Sequence, residues 1–277
     1  MSTISERVLV TGAGGNMGRI LRGRLAKPGR LLRLLDIAAM DPAAEGEQVE
    51  FVVGSVTDPE VLRQAFDGVD AVIHLGGISK EAPFEEILEV NVHGTYLVLE
   101  AAHQHGVPRV VLASSNHAVG YFSRDDAEAN DLPADLPPRP DSFYGWSKAA
   151  TESLGRLYVD TYGMDVFCVR IGTCFNEPFD VRGLTSWMSP DDGARLMEAC
   201  LSTTNGGFRM FWGISRNTRR WWSLDAGVTE VGYEPQDDSE PFAEKLISEF
   251  GEADLADPIH HLVGGKFCLV PLGERML

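Results

Sequence analysis

The chain has 277 residues, 44% of them hydrophobic and 23% charged, with 41 acidic against 24 basic side chains and a net charge of -17. That length can bury a substantial core without staples, as one large domain or two small ones, and the acidic excess argues against a general nucleic-acid or anionic-membrane binder. Cys168, Cys174, Cys200 and Cys268 show no Cys-x-x-Cys spacing and read as small core residues of a reducing compartment; residues 1–7 carry no apolar signal region, no apolar run is long enough to span a bilayer, and the cytoplasm is the expected location.

In chain order, Arg7 to Thr11 is a short apolar run, as expected of a strand buried on both faces. Gly12-Ala13-Gly14-Gly15-Asn16-Met17-Gly18 follows. A helical pattern on Ile20, Leu21 and Leu25 then ends near Pro28-Gly29. Leu31 to Ile37 reads as a second strand, with Asp36 near its end. Glycines let the backbone approach a pyrophosphate, and the helix that follows offers free N–H groups. Asp36 lies 18 residues after Gly18, near the offset of about 20 expected of an acid that takes the adenosine ribose hydroxyls. Strand, glycine loop, helix, strand and acid together predict a dinucleotide site. A glycine-rich turn beside a solvated aspartate is the plainer alternative. The carboxylate at Asp36 would accept ribose hydroxyls and repel a 2′-phosphate, which favours NAD over NADP.

The alternation continues. Val49 to Val53 reads as a strand, Pro59 to Phe66 as a short helix, and Ala71 to Gly77 as a buried strand ending in two glycines, with His74 a satisfied core residue inside it. Glu85 to His105 reads as one long helix containing Asn91. Val110 to Ala113 is the next strand, and Ser114-Ser115-Asn116-His117 stands at its carboxyl end, where open parallel sheets bind ligands. Asp125 to Asp141, rich in Pro and Asp, reads as a loop. A helix carrying Tyr144-Gly145-Trp146-Ser147-Lys148 comes next, capped by Asp141-Ser142-Phe143 and closed by Gly163. Asp165 to Ile171 is a further strand, and Ser189-Pro190-Asp191-Asp192 starts a helix running to about Leu201. Phe208 to Ile214 reads as a strand, Trp221 and Trp222 as core or subunit packing, and Pro241 to Phe250 as a terminal helix. His103, His105, His260 and His261 lack metal-ligand spacing, so no metal is expected.

A tyrosine and a lysine four apart share one helix face. A phenol is a poor base at neutral pH, but a nearby ammonium favours the phenolate and lowers its pKa. A tuned tyrosine can then take a proton from an alcohol or give one to a carbonyl. The spacing alone also fits a half-buried tyrosine beside a solvated lysine.

Taken together, Thr11 to Gly18, Asp36, Asp58, Asn91-Val92-His93-Gly94-Thr95, Ser114-Ser115 and Tyr144 to Lys148 resemble the extended short-chain dehydrogenase/reductase family, well from Val8 to Phe175 and loosely beyond. The resemblance implies an α/β doubly wound parallel sheet, a Rossmann core over residues 1–175, with a small substrate-side and C-terminal portion, residues 176–277, packed on the same domain. It implies Tyr144 as acid/base, with Lys148 lowering its pKa and Ser115 bonding the reacting oxygen. Asn91 would support a proton relay. NAD would lie against Gly12, Gly14, Gly15, Asn16, Met17, Gly18, Asp36, Ser55, Val56, Leu75, Gly76, Gly77, Asn91, Tyr144 and Lys148. Where many relatives have Gly-Asp, this chain has Gly54-Ser55, which leaves the adenine contact there to the backbone.

The run Ser114 to Gly120, with Arg170 to Phe175, Ser186 to Asp192 and Asn217 to Trp222, looks like the NAD-dependent uronate dehydrogenases within that family. Those enzymes oxidise the anomeric carbon of galacturonate or glucuronate to an aldarolactone. The resemblance implies a small-molecule uronic acid partner and no nucleic acid or membrane. It also implies substrate contacts from Ser79, Ser115, Asn116, His117, Tyr144, Thr173 and Arg182; a homo-oligomer is expected, though the sequence does not define the oligomeric state. Asn116 and His117 could equally serve only the loop backbone, and Arg170 could be structural. Arg182 falls on a loop over the ligand crevice and could grip a carboxylate through two parallel hydrogen bonds; its plainer role is a surface pair with Asp180 or Asp191. A sugar-nucleotide epimerase or dehydratase and a non-catalytic cofactor sensor are the alternatives. The intact Tyr144, Lys148 and Ser115 argue against the sensor.

Overall fold

A computed structural model describes residues 4–276; residues 1–3, part of the amino-terminal stretch read for a signal, and residue 277 lie outside the described residues. The elements are β1 (Glu6–Thr11), α1 (Asn16–Arg22), β2 (Arg30–Asp36), β3 (Val49–Val53), α2 (Pro59–Ala65), β4 (Ala71–His74), α3 (Phe84–Ile87), α4 (Gly94–Gln104), β5 (Arg109–Ser115), α5 (Phe143–Tyr162), β6 (Asp165–Ile171), β7 (Thr173–Cys174), α6 (Gly183–Ser186), β8 (Trp187–Met188), α7 (Pro190–Ser202), β9 (Phe208–Gly213), α8 (Ala243–Phe250) and α9 (Pro258–His261). Seven strands form one parallel sheet in the order β3-β2-β1-β4-β5-β6-β9. Helices cover both faces, which is the doubly wound α/β arrangement expected from the alternating pattern.

The apolar runs read as strands are buried on both faces. Val8, Leu9, Val72, Ile73, Val110, Val111, Val166 and Phe167 are fully enclosed. One core cluster packs Leu21, Leu196, Met197, Trp212 and Trp222 against the sheet; the second packs Leu62, Val98, Leu99 and Tyr158 on the other face. Trp212 and Trp222 stack with centroids 4.5 Å apart, so the Trp221-Trp222 pair belongs to the core. β9 comes from the portion after residue 175 and closes the sheet edge beside β6.

Several elements differ from the sequence reading. The long helix expected over Glu85 to His105 is continuous but not uniform. Leu88–His93 is a π turn between α3 and α4, with Asn91 buried inside it. The wider turn absorbs an extra residue, and helical periodicity does not register it. The Asp125 to Asp141 stretch is not a plain loop: it holds a short 3-10 turn at Arg124–Asp126, and Leu132 bridges to Trp222. Pro241 to Phe250 splits into a 3-10 turn and α8, and it is not terminal, because α9 and the turn Gly265–Leu269 follow. No helix among the described residues is long and apolar enough to cross a membrane.

α5 is the element that the site depends on. Ser142 caps it, its side chain accepting from the Gly145 N–H at 2.9 Å, and Gly163 closes it in the left-handed conformation that glycine adopts without strain. Glu152, two turns beyond Tyr144, is buried and takes Arg170 of β6 in a two-pronged pair, both contacts 2.8 Å. Ser114 of β5 donates to the same carboxylate. Arg170 also donates to the carbonyls of Ala134 and Leu136, at 2.7 and 3.1 Å. Removing one partner strands a buried charge, which costs about 3–5 kcal/mol. Glu152→Ala is therefore expected to lower the unfolding free energy by about that much in denaturant titrations, whereas Arg156→Ala, which breaks an exposed i,i+4 pair with Asp160, should change it by less than about 1 kcal/mol.

Candidate active site

β1, β4 and β5 lie side by side in the sheet, ligands of open parallel sheets bind beyond the carboxyl ends of such strands, and the glycine loop follows β1 there. Gly12 has φ +68, and a Cβ there would come within 2.7 Å of the Leu75 and Gly76 backbone. A Cβ on Gly18 would lie 2.5 Å from Ala13. The loop is thus pressed between neighbouring backbone segments in a way that only glycine permits. Asp36, at the end of β2, accepts from the Gly14 N–H at 2.8 Å and from the Ala38 N–H at 2.8 Å. The acid and the glycine loop, 22 residues apart, therefore meet as the spacing predicts. Gly15 and Asn16 are exposed at the mouth, and Met17 is half-buried against the core. The Asn16 amide donates to the Cys174 carbonyl at 3.0 Å, tying the loop to β7. Such a cradle suits a dinucleotide, since close backbone approach favours phosphates and a carboxylate can accept ribose hydroxyls.

The adjoining wall is less polar. Ser55 is occupied locally, its hydroxyl 2.8 Å from that of Thr57. Val56 is buried. Leu75 and Gly76 are half-buried, and Gly77 and Ser79 are exposed or half-buried at the rim. Asn91 ties this wall to α5: its Oδ1 accepts from Ile78 N–H at 2.7 Å, and its Nδ2 donates to Ile78 O at 2.9 Å and to Ser147 Oγ at 3.0 Å. Below it His74 bonds Thr11 at 2.7 Å and Thr95 at 3.0 Å. Burial holds the His74 imidazole down to about 3, so it is a neutral, satisfied core residue. Among the described residues no group of three or more His, Cys, Asp or Glu is placed to hold a metal.

Tyr144, Lys148 and Ser115 converge on the other side. The Lys148 ammonium lies 5.6 Å from the centre of the Tyr144 ring and donates to the Ala113 carbonyl at 2.7 Å. Burial pushes the Tyr144 phenol up to about 12, with the Ser115 hydroxyl acting the other way. Burial likewise brings Lys148 down to about 8. Desolvation by burial is the largest cause of both shifts, disfavouring the charged form of each group.

Asn116, Arg182 and His117 gather under a segment that the sequence reading passed over, and Ser79 lies exposed at the surface. Val263 O accepts from Asn116 Nδ2 at 2.8 Å and also from Arg182 Nη2, so the two side chains meet at one carbonyl oxygen. Phe267 stacks on His117 with centroids 3.8 Å apart, and His117 stands edge-on to Tyr144 at 5.6 Å. Thr173 Oγ1 is buried without a hydrogen-bond partner among the described residues. Glu81, also missed, is buried and accepts from Tyr144 N–H at 2.9 Å and Gly273 N–H at 2.7 Å, joining α5 to the C-terminal segment. The Gly264-Gly265 pair was the available signal, since paired glycines mark close backbone approach. A Cβ on Gly265 would collide with the Arg182 side chain.

Arg182 does not form the surface pair. Asp191 binds Arg24, and Asp180 accepts from the Gly183 N–H. Among the described residues no carboxylate lies within ion-pair distance of Arg182, and burial depresses its guanidinium despite Asp180 nearby. Arg170, by contrast, is consumed by Glu152 and is structural.

Residues 8–189 match the family model described as the NAD dependent epimerase/dehydratase family. A uronate dehydrogenase of Pseudomonas syringae pv. tomato is 40% identical over 271 residues, 98% of this chain and 96% of that protein. One from Agrobacterium fabrum is 40% identical over 270 residues, 98% of this chain and 99% of that protein. A variant uronate dehydrogenase from Agrobacterium tumefaciens, solved as a complex with NAD, superposes with a TM-score of 0.88 at 39% identity, covering 96% of this chain and 98% of that one. With the glycine cradle, Asp36 and the Tyr144–Lys148 face in place, the chain belongs to the NAD dependent epimerase/dehydratase family, in the group that holds the uronate dehydrogenases.

Proposed function

We propose that the protein oxidises the anomeric carbon of a free hexuronic acid, galacturonate or glucuronate, to the aldarolactone, with NAD as the oxidant. The observation that carries the substrate class is Arg182, a half-buried guanidinium that meets Asn116 at the Val263 carbonyl and has no carboxylate within ion-pair distance among the described residues. A buried cation without a counter-ion is costly, and a ligand carboxylate relieves that cost through two parallel hydrogen bonds. The relatives that match the full chain at about 40% identity are uronate dehydrogenases. The sugar-nucleotide and sensor alternatives have no comparable observation in their favour.

The residues divide the work as follows. Gly12, Gly14, Gly15, Asn16, Met17 and Gly18 take the pyrophosphate, Asp36 the adenosine ribose, and Ser55 and Val56 the adenine side. Leu75, Gly76, Gly77 and Asn91 line the passage towards the reacting end. When bound, NAD supplies the hydride acceptor and a positively charged ring. Tyr144 takes the proton of the substrate's C1 hydroxyl as C1 gives up its hydrogen with both electrons. Because C1 is already bonded to the ring oxygen, the product is a lactone. Ser115 bonds the reacting oxygen, Lys148 holds the nicotinamide ribose, and Ser79, Asn116, His117 and Thr173 hold sugar hydroxyls. The unpartnered Thr173 hydroxyl supports that assignment, because a buried hydroxyl left unbonded is costly.

The test follows NADH absorbance with a panel of free sugars and uronic acids. Galacturonate or glucuronate should turn over far better than galactose or glucose. Arg182→Ala should lose about 10²-fold in kcat/KM for the acid and most of the preference over the neutral sugar, while still binding NAD. A variant that keeps the preference removes Arg182 as the anchor. Tyr144→Phe preserves the ring and the fold and removes the acid/base. Its kcat should fall by about 10²–10⁴, and near-normal turnover would assign the proton transfer elsewhere.

A further inference from the structure

Asp141 has no assigned task, yet it is built in with unusual closeness. Its side chain is completely enclosed. Three glycines from three separate segments wall it: a Cβ on Gly120, Gly145 or Gly264 would lie 2.0, 2.9 or 1.9 Å from it. Oδ1 accepts from the Ser142 hydroxyl at 2.6 Å. Oδ2 lies 2.7 Å from His117 Nδ1. Among the described residues, His117 is the only ionisable cationic group within ion-pair distance of it. Helix capping does not need Asp141, because Ser142 caps α5 itself.

A carboxylate only accepts hydrogen bonds, so a neutral imidazole paired with it carries its hydrogen on Nδ1. His117 is then held on three sides. Phe267 stacks on one face, Tyr144 meets it edge-on, and Asp141 fixes the Nδ1 edge. Nε2 has no hydrogen-bond partner among the described residues, and the side chain remains 13% exposed. We propose that Asp141 is a positioning residue for substrate recognition: it locks His117 in the Nδ1–H tautomer, so that Nε2 faces the crevice as a fixed acceptor for one hydroxyl hydrogen of the sugar. This rests on the uronate reading above and deepens it. An acceptor of one orientation reads a hydroxyl donor and discriminates against a sugar lacking it, because an unmet buried acceptor is costly.

The test uses the full chain and three variants. Asp141→Asn nearly preserves shape, but its amide can donate to Nδ1 and so shift the hydrogen to Nε2. The KM for galacturonate should rise about tenfold or more, with a smaller change in kcat and with the Kd for NAD and the Tm close to wild type. His117→Gln should raise KM similarly. Asp141→Asn combined with His117→Gln should be no worse than His117→Gln alone, since a residue acting through another adds nothing once that other is gone. Fully multiplying losses in the double variant, or an Asp141→Asn protein with lowered Tm and unchanged KM, overturn the proposal. Nitrogen NMR of the wild-type imidazoles reads the tautomer without any variant. Hydrogen on Nδ1 of His117 with a bare Nε2 is expected; hydrogen on Nε2 overturns it. Wild-type protein that fails to oxidise any uronate would refute the function while leaving the tautomer to the NMR result.

Discussion

One buried carboxylate sets the register of the active site. Tyr144, Lys148 and Glu152 follow one another at intervals of four along one face of α5. Glu152 is held by Arg170 of β6 and by Ser114 of β5, the residue immediately before Ser115. The helix can neither slide nor turn without breaking that pair. Ser115, at the end of its strand, therefore keeps a fixed relation to the tyrosine and lysine on the helix. Arg170 also grips the Ala134 and Leu136 carbonyls, so the segment leading to Asp141 is fixed by the same charge. Such a pair is a weak source of stability compared with apolar packing. Its value here is geometric.

The two ends of the crevice hold charge in opposite ways. At the nucleotide end, backbone and a single acid do the holding, and Asp36 already uses its carboxylate to shape the glycine loop through Gly14. At the substrate end, burial dominates. It raises the Tyr144 phenol to about 12 and lowers Lys148 to about 8, while half-buried Arg182 donates to the Val263 carbonyl and the Ser186 hydroxyl and meets no carboxylate within ion-pair distance among the described residues. That arrangement is poorly settled without ligands. The phenol needs added positive charge nearby to reach a useful basicity, and the guanidinium needs an anion. A cationic cofactor and an anionic sugar acid meet both needs, which makes the crevice complementary to its two substrates together.

What the sequence disclosed follows the reach of local patterning. The glycine run, Asp36 and the Tyr144–Lys148 face were legible because each depends on spacing within one βαβ unit or one helix. The caps Ser142 and Ser189 and the closing Gly163 were legible for the same reason. The π turn around Asn91 was not, because a one-residue widening leaves the apolar period nearly unchanged. The cover over the substrate side was not legible either. Val263 reaches Asn116 across 147 residues, and Cys268 reaches Asp141 across 127. No periodicity carries such contacts; only tertiary folding makes them. Nor was the burial of Tyr144 and Lys148 legible, because spacing on a helix does not report how much water the fold removes around a phenol and an ammonium.

The central claim is that hydrogen leaves the anomeric carbon of a uronic acid and stays on the nucleotide. Galacturonate carrying deuterium only at C1, incubated with the protein and NAD, tests it most directly, with mass spectrometry of both products. One deuterium in the reduced nucleotide and none in the sugar lactone is the predicted result, in equal amounts of the two products. Deuterium retained in an unoxidised sugar, returned to a sugar of inverted configuration or lost to water would contradict the account.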